Sequence, residues 1–130
     1  MRARLKVPER QLQRAAADYL TLVERITGAL TFSHPPNESR RGPRQGAELK
    51  AAGMRAGDPD LMIFMDGERT IFIEIKAEGG RLQRTQQDRH ETLRRLGFKV
   101  YLLAASDVPD LLRQLCEILR RHQINAPQVM

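Results

Sequence analysis

Residues 57–64 read Gly-Asp-Pro-Asp-Leu-Met-Ile-Phe, and residues 71–76 read Ile-Phe-Ile-Glu-Ile-Lys. The second run decides the fold. A strand turns successive side chains to opposite faces, so Phe72, Glu74 and Lys76 share one face while Ile71, Ile73 and Ile75 share the other. Charged groups in so apolar a strand are costly to bury unless they are paired or bind a metal. An acid and an amine side by side at a strand end suit a site that grips a divalent cation and a phosphate.

A second acid is placed by counting. Asp66-Gly67 is a strong turn dipeptide between two apolar runs, so residues 61–65 and 70–76 read as a β-hairpin. If Met65 pairs with Glu68, Asp60 lies opposite Ile73; if Met65 pairs with Thr70, it lies opposite Ile75. Either register brings the Asp60 carboxylate near Glu74. Two converging carboxylates can share a hard cation such as magnesium, which prefers oxygen ligands and keeps several waters. Lys76 would then orient the attacking water or balance charge on the scissile phosphate. The same spacing also fits a surface hairpin with an ordinary Glu–Lys salt bridge.

Outward from the hairpin, periodicity supplies the remaining elements. Pro8 suits the first turn of a helix, and Leu12, Ala16, Tyr19, Val23 and Ile26 follow at spacings of three and four. Glu9 precedes Leu12 on the same stripe and is expected to face the protein. Gly28 closes this helix and Ala29 to Phe32 is a short strand. His34 to Gly46, rich in Pro, Gly and Arg, reads as a loop, followed by a brief helix over residues 47–52. After Gly79-Gly80, a helix is outlined by Leu82, Gln86, Leu93 and Leu96. The strand from Phe98 to Ala104 then lies parallel to the Glu74 strand, because a crossover helix connects them. Ser106 or Asp107 caps a last helix whose apolar face carries Leu111, Leu112, Leu115, Ile118 and Leu119. Cys116 on it reads as core packing, and His90, one turn after Gln86, as a hydrogen-bonded or surface histidine rather than a ligand.

Bulk properties set the bounds. A chain of 130 residues fits one domain with one core. The 22 Lys and Arg against 16 Asp and Glu give a net +6, which favours a polyanionic partner. Tryptophan is absent, so a stacking platform for single-stranded bases is not expected. A single cysteine excludes an internal disulfide, and no Cys/His cluster has zinc spacing. With no long apolar run and no leader pattern, a cytoplasmic protein is expected.

Pro59-Asp60 followed by Glu74-Ile75-Lys76 resembles the PD-(D/E)XK nuclease pattern, and the fuller text resembles its VRR-NUC branch, especially small stand-alone phage and bacterial members. The similar segments are Ser33-His34-Pro35-Pro36-Asn37, residues 52–61, Glu74 through Leu82, and Gln86, in the family's order across roughly residues 9 to 105. Where relatives often carry Ser-Pro after Gly-Arg-Leu, this chain has Gln83-Arg84.

The resemblance implies a restriction-endonuclease-like α/β core, a mixed sheet of about four strands flanked by helices, filling residues 1–130 as one domain. It implies a magnesium- or manganese-dependent DNA endonuclease of a phage or its bacterial host. Asp60, Glu74 and the Ile75 carbonyl would hold the ion, Glu9 would join directly or through water, Lys76 would serve catalysis and Gln86 would support it. Analogy further implies a homodimer acting on branched DNA such as a Holliday junction. His34, Asn37, Arg40, Arg41 and Arg44 are candidate DNA contacts. The rival from another class is a catalytically silent DNA-binding subunit with the same fold; an RNA-binding module would explain the charge but not the motif.

Overall fold

The computed structural model describes residues 6–35, 43–53 and 55–129. In chain order the elements are α1 (Glu9–Thr27), β1 (Leu30–Ser33), α2 (Pro43–Ala51), β2 (Leu61–Met65), β3 (Arg69–Ala77), α3 (Arg84–Arg95), β4 (Lys99–Ala105) and α4 (Val108–Arg121). The strands form one sheet in the order β1-β2-β3-β4, antiparallel except for the parallel β3–β4 pair. The parallel pair is the one bridged by α3, as a crossover requires.

The hairpin register differs from both expected registers. Met65 pairs with Arg69 and Leu61 with Ile73, so the connection is the three-residue loop Asp66-Gly67-Glu68. Gly67 (φ 70°) and Glu68 (φ 62°) both adopt left-handed backbone. Arg69 fastens the loop by donating to the Asp66 carbonyl at 3.0 Å and its carboxylate at 2.7 Å. The consequence is that Asp60, one step beyond the last ladder pair, comes level with Glu74 itself.

The two faces of β3 part as alternation predicts. Ile71, Ile73 and Ile75 are buried in the main core with Leu12, Ala16 and Leu20 of α1 and Leu111, Leu115 and Leu119 of α4. Each such side chain contributes roughly 1.5–3 kcal/mol on leaving water. The opposite face carries a smaller cluster, Phe72, Leu93 and Val100. Glu74, Lys76 and His90 are the buried polar residues among those described.

Three expectations shift in detail. Ile26 is 60 % exposed, because the buried stripe of α1 runs through Leu20 instead. α2 starts at Pro43 rather than residue 47, which places Arg44 in a helical first turn. α3 begins at Arg84, after Leu82, with Gln83 as its N-cap. α4 is capped by Asp107, which accepts from the Asp110 N–H at 2.8 Å, and Cys116 is buried. Among the described residues, no helix is long and apolar enough to cross a membrane.

Candidate active site

Five segments meet at the C-terminal end of β3: the first two turns of α1, the residue after β1, the loop before β2, β3 itself and α3. Asp60 is fixed first. Its Oδ2 accepts the Ile75 N–H at 2.7 Å and its Oδ1 accepts from Gln13 Nε2 at 3.1 Å. The Ile75 N–H is available because the β2 ladder has ended at Leu61, so the carboxylate takes the place of the next rung. His34, just past β1, bonds through Nδ1 to the Asp60 carbonyl.

Glu74 is almost wholly buried, and its Oε1 lies 3.0 Å from His90 Nε2. Its other oxygen, Oε2, is buried without a hydrogen-bond partner. Lys76 extends from the same face and pairs with Glu9 at 3.9 Å. The first turn of α1 thus brings Glu9 to Lys76, although its side chain stays 38 % exposed rather than turned into the protein as its place on the apolar stripe suggested.

Electrostatics mark the acid pair. The Asp60 pKa rises from 3.8 to about 7, foremost because burial disfavours its charge. Glu74 adds to this, both as a hydrogen-bond partner for the protonated acid and as a like charge; the Ile75 N–H and Lys76 oppose it. Burial raises the Glu74 pKa as well, against the pull of Asp60 and Lys76. His90 is pushed down, first by burial and then by Arg94, which favours the neutral imidazole.

Among the described residues, no three His, Cys, Asp or Glu side chains converge on one point. Two acids do, and a buried carboxylate oxygen with no partner beside a second acid of raised pKa is a donor set short of positive charge. A hard divalent cation fits it, since such an ion takes one or two carboxylates and fills its shell with backbone oxygen and water.

The other expected residues lie as follows. Gln86 is half-buried and its Oε1 accepts the Gln83 N–H at 2.9 Å, so this group caps α3. Arg44 is exposed and pairs with Glu48. Asn37, Arg40 and Arg41 lie outside the described residues.

Sequence reading missed Gln13, which stands four residues after Glu9 and so shares its helix face. It also missed the 2.6 Å Arg89–Asp58 pair, which ties α3 to the loop carrying Asp60. His90 was seen but not given to the site, because a lone histidine on a helix has no pattern of its own.

The VRR-NUC domain model matches residues 28–107, which include Asp60, Glu74, Lys76 and Gln86 but not Glu9 or Gln13. A solved structure described as a VRR_NUC domain protein is similar with a TM-score of 0.61 and 19% identity, covering 95% of this chain and 94% of its own. Another, described as a VRR_NUC domain, has a TM-score of 0.55 and 19% identity, covering 88% and 95%. At that identity the likeness concerns the fold. No curated protein sequence matches the chain.

Proposed function

The chain belongs to the VRR-NUC family of nucleases, and from that premise we propose that it is a metal-dependent DNA endonuclease built on Asp60, Glu74 and Lys76. The observation that carries the reading is half-buried Asp60 beside buried Glu74, two acids whose charge burial disfavours and no neighbouring cation fully offsets. Asp60, Glu74 and the Ile75 carbonyl would hold magnesium or manganese. The Ile75 carbonyl leaves β3 on the same edge as its N–H, beyond the last β2 pair. A bound divalent ion supplies Lewis acidity toward the phosphate and lowers the pKa of a coordinated water.

The protein's own groups do the rest. Lys76 presents an ammonium at the site's edge, where it steadies the charge growing on the phosphoryl oxygens and orients the water. Glu9 holds that ammonium in place. The water oxygen bonds to phosphorus and gives up a proton to solvent while the bond from phosphorus to one sugar oxygen breaks, and the departing oxygen takes up a proton from solvent in return. Gln86 maintains the start of α3 and hence the wall facing Glu74. Exposed Arg44, with Asn37, Arg40 and Arg41, would contact phosphates, and His34 fixes the backbone of Asp60.

Selectivity for branched DNA and a homodimer presenting two sites extend this reading by symmetry, since paired cuts need sites related by a two-fold axis. The test is cleavage of a panel of branched and linear DNAs, with and without magnesium or manganese. Asp60→Ala, Glu74→Ala and Lys76→Ala should each abolish cleavage and leave DNA binding largely intact, because phosphate contacts elsewhere supply most of the affinity. Wild-type cleavage by Glu74→Ala would sink the assignment. No cleavage of any DNA by the native protein would favour a silent DNA-binding subunit.

A further inference from the structure

We propose that His90 is the positioning residue for Glu74, donating its Nε2–H to Oε1 so that Oε2 is held facing the acid pair. The contact is 3.0 Å, and each of the two side chains is 1 % exposed. Water does not compete for a bond at that depth. With one oxygen held, the carboxylate cannot rotate without breaking the bond, and the unpartnered Oε2 is the atom left to serve the site.

The other ring nitrogen assigns the tautomer. His90 Nδ1 is buried with no hydrogen-bond partner. With the proton on Nε2, the orphan is a lone pair and Glu74 receives a donor. With the proton on Nδ1, a buried N–H would be stranded and the Nε2 lone pair would oppose the carboxylate. The first arrangement is the lower in energy. An orphaned buried polar atom still costs about 1–3 kcal/mol, so an apolar side chain would fill this space more favourably. The bond to Glu74 is what a histidine adds there.

The helix that carries the imidazole is fixed on several sides. Arg89 binds Asp58 at 2.6 Å, Leu93 packs with Phe72 and Val100, and Arg94 donates to the Val100 carbonyl at 2.8 Å. The donor is therefore held relative to both the Asp60 loop and the strands, as partners behind metal ligands are.

The inference rests on the metal-nuclease reading, and manganese binding to the DNA-free protein separates the two. Manganese affinity, measured by titration calorimetry, should fall at least tenfold in His90→Leu and His90→Asn, the scale usual for loss of such a partner. His90→Gln should stay near wild type, because its amide nitrogen reaches where Nε2 sits and that of asparagine does not. Melting curves without metal accompany each titration, and a merely structural role would order the variants by stability instead. Equal affinities for His90→Gln and His90→Asn overturn the proposal, and that comparison stands even if His90→Leu fails to fold. Wild-type protein that binds no manganese, or binds it as tightly after Glu74→Gln, overturns the metal reading and this inference together. Wild-type binding that is weakened by Glu74→Gln but unchanged in His90→Leu overturns this inference alone.

Discussion

Replacing Asp60 with asparagine should stabilise the metal-free protein, and increasingly so as pH rises. Native Asp60 holds its proton up to about pH 7, whereas the unfolded chain releases it near 3.8. Between those values the unfolded state binds fewer protons, so stability falls with rising pH. The contribution is fully present below 3.8 and fully lost above about 7. At about 1.4 kcal/mol for each decade of proton affinity, the displacement corresponds to a ceiling of about 4 kcal/mol. Roughly 2–3 kcal/mol of that falls between pH 5 and pH 8. Asparagine cannot ionise, so Asp60→Asn escapes the loss. Because Asp60 and Glu74 titrate together, the difference belongs to the pair. The assay is urea unfolding of both proteins in chelator at pH 5 and pH 8. The advantage of Asp60→Asn should widen by roughly 2 kcal/mol or more between them, and saturating manganese should restore the wild type alone. Parallel pH profiles for the two proteins would refute the idea that the cost of charging Asp60 at this site is stored in the fold.

Three further outcomes are expected. Gln86→Ala should lose about 1 kcal/mol of stability with its cap, while Gln86→Glu, which suits the same capping position, should not; cleavage by Gln86→Glu then reports any role at the site apart from the cap, and equal melting of the two variants would contradict the capping contact. Gly57→Ala should cost at least about 2 kcal/mol and slow cleavage, because the glycine has φ 85° and a Cβ there would strike the Thr85 carbonyl oxygen; wild-type stability of this variant would contradict the packing of the Asp60 loop against α3. Light scattering should give the mass of a homodimer at micromolar concentration, and a monomer with no preference for four-way junctions over duplex would leave only the metal-nuclease reading standing.

What could be read from the sequence was whatever a short period encodes. Alternation in residues 71–76 separated the Ile71, Ile73 and Ile75 face from the Glu74 and Lys76 face, and burial of both charged residues follows that division. The stripe on α1 set Glu9 on the side where it meets Lys76, although its side chain stays more than a third exposed. The register escaped because it is set at the far end of the hairpin: two left-handed residues in a three-residue loop move every pair by one from either expectation. Gln86 was assigned from the family resemblance and its place on the helix stripe, yet neither says where an amide group bonds, and its oxygen caps α3. Gln13 and His90 escaped for the same reason. Each reaches its acid through a long-range hydrogen bond, which leaves no repeating mark along the chain.

The charge distribution gives these separate contacts a common logic. The chain carries a net +6, yet the donors to the two acids are neutral: Gln13 and the Ile75 N–H on Asp60, and the imidazole of His90 on Glu74. The Lys76 ammonium, which partly offsets both acids, has its ion pair with Glu9. Arg89, on the same helix as His90, pairs with Asp58 rather than with either acid. A neutral donor fixes the direction of a carboxylate without cancelling its charge, whereas a guanidinium would do both. The site therefore keeps its negative potential, which costs stability in the metal-free fold, inside a protein whose net charge attracts a polyanion. If a Gln13→Arg substitution placed a guanidinium on Asp60, it should raise metal-free stability at pH 8 and weaken manganese binding together. A gain in stability with manganese affinity unchanged would show that this potential is not what draws the cation.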